Sequence, residues 1–340
     1  MALKFGFLFG MRNPRQWEKP WPQVYAEMLE QTQAAEELGF DSVWMSEHHS
    51  AEDGYCPSTL VAAAAVAART STITIGTRLL LLPMHNPVRV AEDAAVVDVI
   101  SGGRFILGIA VGYVPHEYGT FGVNRRFRPS LMDEGIEIIR KCWTEDKFDY
   151  SGKRYTVTNV AVQPKPVQQP GPPIWIGAQA GSAIERVALM GDGFHYVGAP
   201  SSYALYEEAM QRNGRDPRSI PVYDSRDFWC AEDSDEAWQE AREHLFYSSS
   251  HYAKWGAEAA EADGRTLAGA PARTPEEMRE QGGPMLYVGD PGEIIEKFEA
   301  RLAEVPIDGT IMRVPPGMAH DKVLRQMELL AKEVLPHFAD

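Results

Sequence analysis

A hydrophobic run in this chain ends abruptly in titratable chemistry: Val43-Trp44-Met45-Ser46-Glu47-His48-His49-Ser50. A core strand gains nothing from two histidines, because an unpaired buried polar group costs free energy. Two imidazoles beside a carboxylate suit proton transfer near neutral pH, or metal ligation. Metal is the weaker reading. Adjacent histidines serve one ion poorly, and the nine histidines of the chain form no HxH pair on a first strand and no HExxH motif. Nucleophilic catalysis is weaker still, with no GxSxG and no cysteine beside a plausible base. Strand alternation sends His48 and His49 to different sides, so one ligand meets both only if the strand has already ended. His48 and His49 are therefore the candidate catalytic residues. The competing reading makes them partly solvated loop residues held by Glu47 or Asp53.

What positions the pair is a regular alternation of short apolar runs and amphipathic helices. "KFGFLFG" predicts a first strand, and about Trp21–Leu38 a helix with Met28, Leu29 and Ala35 at helical spacing. "DSVWMS" is a second strand, followed by a helix that Ser58 is placed to cap. "TITIGTRLLLLP" reads as one third strand closed by Pro83. Pro87 opens the next helix and Gly102-Gly103 ends it. "RFILGIAVG", "PIWIGA", "GFHYVG", "IPVYDSRDFWCA" and "GTIMRV" supply strands four to eight, each followed by a helix. Eight strand–helix units without a composition break predict a single (β/α)₈ barrel domain over residues 1–340. A doubly wound sheet is the runner-up; "LFGMRNP" lacks its Gly-rich turn. In a barrel the catalytic face lies at the carboxyl ends of the strands, which is where "SEHHS" falls.

Two segments interrupt the alternation. From about Asp146 to Pro173 a β-like excursion precedes a proline-rich return. From about 247 to 285 the chain is rich in Ala, Gly, Ser and charge, with Leu267 and Met278 nearly alone as large apolar residues, which predicts a mobile, lid-like insertion. Composition narrows the partners. The formal net charge of -15 disfavours nucleic acid. No apolar run is long enough to span a membrane. Three scattered cysteines and a start without signal-peptide character lead to the expectation of a cytoplasmic protein.

The residues then carry a resemblance. "SEHHS…GY", "HNPVRVAEDAAVVDVISGGRF", "PIWIGAQAGSAIERVALMGDGF" and the closing "VGDPGEIIEKF" resemble, in order along nearly the whole chain, the luciferase-like family of flavin-dependent oxidoreductases. The resemblance implies reduced FMN bound in the barrel mouth, or in one branch a deazaflavin coenzyme. In the oxygen-using branch it implies a monooxygenase, fed with reduced FMN by a separate reductase, that oxidises a small organic substrate with O2 through a C4a-peroxyflavin. His48 matches the histidine beside the flavin's reactive carbon. The flavin ring of the family rests on a non-prolyl cis bond, which the match places at Thr77-Arg78. The phosphate grip maps to Gln179, Ala180, Gly181 and Ser182, opening the helix after the fifth strand. Bacterial luciferase has a carboxylate and a hydroxyl residue at Gln179 and Ala180, and an arginine at Val111, so phosphate contacts are redistributed, with Arg78 a further candidate.

The resemblance also implies a homodimer through the helices after the second and third strands. A deazaflavin-dependent hydride transferase is the alternative, and a flavin-binding accessory subunit without turnover a third. The Glu-His-His triplet favours FMN. Tyr113, Tyr118 and Phe121 are candidates to line the substrate side. Arg226 and Arg313 are candidate anion binders whose plainer reading is a salt bridge.

Overall fold

The computed structural model describes residues 2–339 except 180, 197, 199, 267–269 and 283–285. Its strands are β1 (Lys4–Phe9), β2 (Ser42–Met45), β3 (Thr74–Thr77), β4 (Leu80–Leu81), β5 (Phe105–Ala110), β6 (Phe148–Ser151), β7 (Thr156–Val160), β8 (Ile174–Ala178), β9 (Gly193–Tyr196), β10 (Val222–Cys230), β11 (Leu286–Gly289) and β12 (Gly309–Arg313). The helices used below are α1 (Trp21–Glu37), α2 (Thr59–Ala67), α3 (Pro87–Ser101), α4 (Pro115–Thr120), α5 (Arg128–Thr144), α6 (Ser182–Met190), α7 (Pro200–Arg212), α8 (Ser234–Ala262), α9 (Pro275–Gly282) and α10 (Pro291–Glu304).

Parallel pairing runs β1-β2-β3-β5-β8-β9-β10-β12, and β12 returns to β1, closing an eight-stranded (β/α)₈ barrel. Alternation along each strand explains the layers. Phe5, Phe7 and Phe9 of β1 face the helices, where Phe5 meets Phe298 of α10 and Phe7 meets Phe40. Leu8, Trp44, Trp175 and Ile311 form a separate cluster, joined by Ile106 and Tyr223, that fills the barrel interior. Gly76 makes room for it, since any Cβ there would strike the Trp44 ring. β6 and β7 form an antiparallel hairpin outside the barrel, as the excursion after Asp146 predicts. No helix is long and apolar enough to cross a membrane among the described residues.

Four expectations need correction. The third strand is not continuous: β3 stops at Thr77, whose Oγ1 donates to Gly108 O at 2.7 Å and accepts from Gly108 N at 2.9 Å, replacing ladder bonds. The non-prolyl cis bond is Arg78–Leu79, one residue beyond the expected Thr77–Arg78. Ser58 stands at the α2 N-cap position without a side-chain bond, whereas Asn86 caps α3 by accepting from Val88 N and Arg89 N.

The largest correction concerns 247–285. Up to Ala262 this segment is the second half of α8, with Trp255, Ala259 and Ala260 buried. Its anchors are aromatic and polar, so a reading weighted to aliphatic residues overlooks them. Trp17 stacks on His244 at 3.8 Å, Arg12 donates to Ser248 at 3.2 Å, and Tyr247 donates to Asp53 at 3.1 Å. Farther on, Glu258 binds His116 of α4 at 2.8 Å and Asp263 binds Arg125 at 2.7 Å. Leu267 lies outside the described residues. α9 follows, and β11, not foreseen as a strand, extends the sheet by pairing with the outer end of β10.

Candidate active site

β2 ends at Met45 and the chain turns at the barrel mouth, which separates the two histidines. His48 Nδ1 lies 2.8 Å from Glu117 Oε1 on α4, and the same oxygen accepts the His49 backbone N–H at 2.8 Å. That carboxylate fixes the ring and leaves Nε2 without a protein partner among the described residues. Around the ring stand Trp255 (centroids 4.4 Å), Tyr55 (4.7 Å), Tyr252 (5.9 Å) and Tyr113 (6.2 Å). Tyr55 OH donates to Ser46 at 2.9 Å and pairs with Tyr252 OH at 2.8 Å. Burial pushes the Tyr55 phenol well above its ordinary range, with Tyr252 adding to the effect.

His49 faces the other way, against Phe121 at 4.6 Å. Its Nε2 is 2.9 Å from Glu47 Oε1, which also lies 2.8 Å from His85 Nε2 and accepts from Leu81 N at 3.3 Å. Burial disfavours the Glu47 carboxylate, yet the bonds from His49 and His85 overcome it and hold the group down at about 2. His85 is raised despite burial, because Glu47 accepts from it. Glu47, His49 and His85 have the composition of a carboxylate–His₂ metal site, their ligand atoms lying within 4.8 Å of one another. Their separations are hydrogen-bond lengths, however, and an ion at about 2.0–2.2 Å from each ligand would replace those bonds.

Neither histidine is a solvated loop residue; both are buried. Of the expected holders, Glu47 does bind His49, but Asp53 instead pairs with Arg12 at 2.6 Å. Glu117 and the aromatic residues of α8 escape a sequence reading, since only the fold brings residues 69 and about 200 positions away to His48. Arg12, under Tyr55, Tyr247 and Trp255, escapes it too. Its one signal is a charged residue directly after a buried strand, in "GMRNP".

The other expected residues divide. Thr77 spends its hydroxyl on Gly108, and Arg78 is buried in the barrel. Gln179, Gly181 and Ser182 are exposed at the mouth, where Gly181 precedes α6 with φ +55°. Ala180 lies outside the described residues. Tyr113 reaches His48's surroundings, whereas Tyr118 is packed against Leu81 and Met84. Arg313 pairs with Asp227 at 3.1 Å and Arg226 with Asp224 at 2.5 Å, as the salt-bridge reading predicts. The three cysteines are free and buried, and burial raises each thiol, Cys56 and Cys230 to about 12. A shallow cleft opens at the mouth, with Arg12, Tyr55, Tyr252, Asp227 and Arg313 in its wall.

A parallel barrel with a carboxylate-held histidine inside an aromatic mouth can transfer protons, and kinship with known proteins makes it an oxidoreductase. The chain belongs to the luciferase-like monooxygenase family, whose model matches residues 3–309. It is 25% identical to the oxygenase component of the flavin-dependent trigonelline monooxygenase of Acinetobacter baylyi, covering 94% of this chain and 91% of that one. An F420-dependent glucose-6-phosphate dehydrogenase of Amycolatopsis mediterranei is 33% identical over 49% of this chain and 52% of its own length. Among solved structures, monooxygenase RslO1 from Streptomyces bottropensis superposes with a TM-score of 0.84 at 26% identity, over 99% of this chain and 100% of that one. The oxygenating constituent of 3,6-diketocamphane monooxygenase from Pseudomonas putida, in complex with FMN, superposes at 0.79 over 99% of both chains. At 22% identity that second likeness is one of fold.

Proposed function

We propose that this chain is the oxygenase of a two-component flavin monooxygenase, taking reduced FMN from a separate reductase and oxidising a small organic substrate with O2. The observation that carries the reading is the His48–Glu117 pair, which leaves Nε2 free among aromatic side chains at the mouth. A flavin fits the residues present. Gln179, Gly181 and Ser182 at the start of α6 offer a phosphate backbone amides and a hydroxyl. Leu79, after the cis bond, packs against Gly177 of β8 and offers an apolar rest for a ring.

When bound, reduced FMN supplies the electrons and the reaction with O2. The protein's part is to hold and to exclude. Glu117 fixes the His48 tautomer with a proton on Nδ1, so that Nε2 accepts a proton from the reacting centre and returns it. Tyr252 and Trp255 close the side of the mouth toward α8 and keep water out. His49 does not share this duty; it braces the loop through Glu47. Deazaflavin-dependent hydride transfer remains the second reading, supported by the F420-dependent relative.

We also read the chain as one barrel domain that forms a homodimer through α2 and α3, where Val61, Val96, Val99 and Ile100 are exposed. Sedimentation at micromolar concentration showing only monomer would reject that assembly. The test of function is an anaerobic titration with reduced FMN and with reduced deazaflavin, followed by oxygen. Tight binding of reduced FMN and rapid oxidation coupled to substrate is the expected result. Binding of deazaflavin alone, inert to oxygen, would overturn it.

A further inference from the structure

The arginines around the barrel differ in their partners. Arg12 has Asp53, Arg226 has Asp224 and Arg313 has Asp227. Arg78 has no carboxylate. It is 5% exposed, its Nη2 reaches only the carbonyl of Tyr196 at 3.5 Å, and its Nη1 has no partner among the described residues. Asp224 lies within electrostatic reach but forms no ion pair with it: its Oδ2 accepts from Arg226 at 2.5 Å and from Arg301 at 3.1 Å, and its Oδ1 has no partner among the described residues. His195 on β9 shares the situation. It is fully buried, with neither ring nitrogen bonded among the described residues. Trp44 meets it edge-on at 4.8 Å and Trp175 at 5.1 Å. Gly108 of β5 leaves it room, since a Cβ there would collide with Nε2.

A guanidinium buried without a counter-charge is an expensive way to fill space, and a neutral side chain would serve packing better. Burial first, then Arg313, lower Arg78 to about 9, which still leaves it a cation at neutral pH. His195 stays neutral, pushed far down by burial and by Arg78, and so keeps one N–H to donate. Arg313 and Tyr252, whose fields reach Arg78, line the cleft at the mouth. Two orphaned donors therefore lie buried together in the barrel, within electrostatic reach of residues that line the cleft.

We propose that Arg78, with His195 beside it, is the receptor for a planar anionic acceptor group of a bound molecule. A guanidinium recognises such a group through two parallel N–H bonds. Two sources carry that chemistry, a substrate carboxylate and the N1–C2=O edge of reduced flavin, which is anionic at neutral pH. The phosphate is a separate matter, because Arg78 reaches β9 whereas the phosphate is expected at the β8–α6 turn. The flavin source rests on the function proposed above; the carboxylate source does not.

The test uses Arg78→Met and Arg78→Lys in the full chain, with affinities read from tryptophan quenching. The probes are reduced and oxidised FMN under anaerobic conditions, and benzoate and nicotinate against their amides. Arg78→Met is expected to fold with an unchanged or higher melting temperature. A loss of about tenfold in affinity for reduced FMN, with oxidised FMN unaffected, assigns the flavin source. A similar loss confined to the carboxylates, with the amides unaffected, assigns the substrate source. Arg78→Lys should recover part of either loss, because it restores charge without the fork. Wild-type protein that binds no flavin would sink the proposed function yet leave the carboxylate arm standing. Unchanged affinities in both variants, or failure of both to fold, would overturn the receptor role.

Discussion

His48 and His49 are neighbours in sequence and belong to different regions of the molecule. Around His48 the partners are one carboxylate and a ring of aromatic side chains from α8 and from the loops after β2 and β5. Around His49 stand Phe121 and a close-knit polar group, in which Glu47 gathers two imidazoles and a backbone N–H. The first region leaves a nitrogen unspent. The second is tied to the loop's own geometry through Glu47. A site that must move protons needs the first kind of surroundings, and a loop that must hold still needs the second.

The sharpest way to break this contrast is Glu47→Ala. Removing a buried acceptor from two imidazoles and an amide should cost about 3–5 kcal/mol, read as a large fall in the urea midpoint. Glu47 also sets an acid limb. Its folded value near 2, against an ordinary 4.5, means that its contribution is complete above pH 4.5 and vanishes as the pH falls toward 2. His85 has the opposite sign: raised above its ordinary 6.5, it contributes below that value and loses its contribution as the pH rises through its folded value. A shallower acid limb in Glu47→Gln than in wild type, with the remainder carried by groups such as Glu36, which is also held at about 2, would confirm the assignment.

Trp255→Ala should cost about 3 kcal/mol, because it empties a buried aromatic site against His48. It should also raise the fraction of reduced flavin consumed without product. His48→Ala should reverse the balance seen for Glu47→Ala. Turnover is expected to fall by about a hundredfold or more, with the melting temperature nearly unchanged. Equal damage to stability and turnover in both variants would erase the distinction between the regions. Glu117→Gln keeps a hydrogen-bond acceptor but removes the charge that supports His48, and about a tenfold loss of turnover is the expected outcome. The smallest effect concerns the end of α8. Arg265 and Arg273 are exposed, whereas residues 247–262 are helical and anchored. Limited trypsin should therefore cut at Arg265 and Arg273 and spare the sites at Lys254 and upstream. Cleavage at Lys254 as fast as at Arg273 would show that the anchoring does not hold α8 in place.

Much of the scaffold is legible in the sequence alone. Helix and strand periods, Pro87, Gly102 and the absence of a dinucleotide turn are local features, and local features survive translation into sequence pattern. The interruption of the third strand is not legible, because "TITIGTRLLLLP" has the composition of one strand and the break depends on Thr77 bonding to Gly108 across the barrel. The α8 segment misleads for a related reason. Its Ala, Gly and Ser content is that of a loop, while Tyr247, Tyr252 and Trp255 find their partners some 200 residues upstream.

By itself the sequence determined that a titratable cluster stands at the end of a buried strand in a repeating β/α chain, and that a small polar turn opens a helix after the fifth strand. Those are matters of residue type and near-neighbour spacing. Only the tertiary structure decided which histidine stands among the aromatic residues of the mouth, that Glu117 binds it, and that Arg78 alone among the four arginines compared has no ion pair. Each of these depends on partners brought together by barrel closure from remote parts of the chain. Hydrogen bonds and burial act across a few ångströms of space, whatever the distance along the sequence.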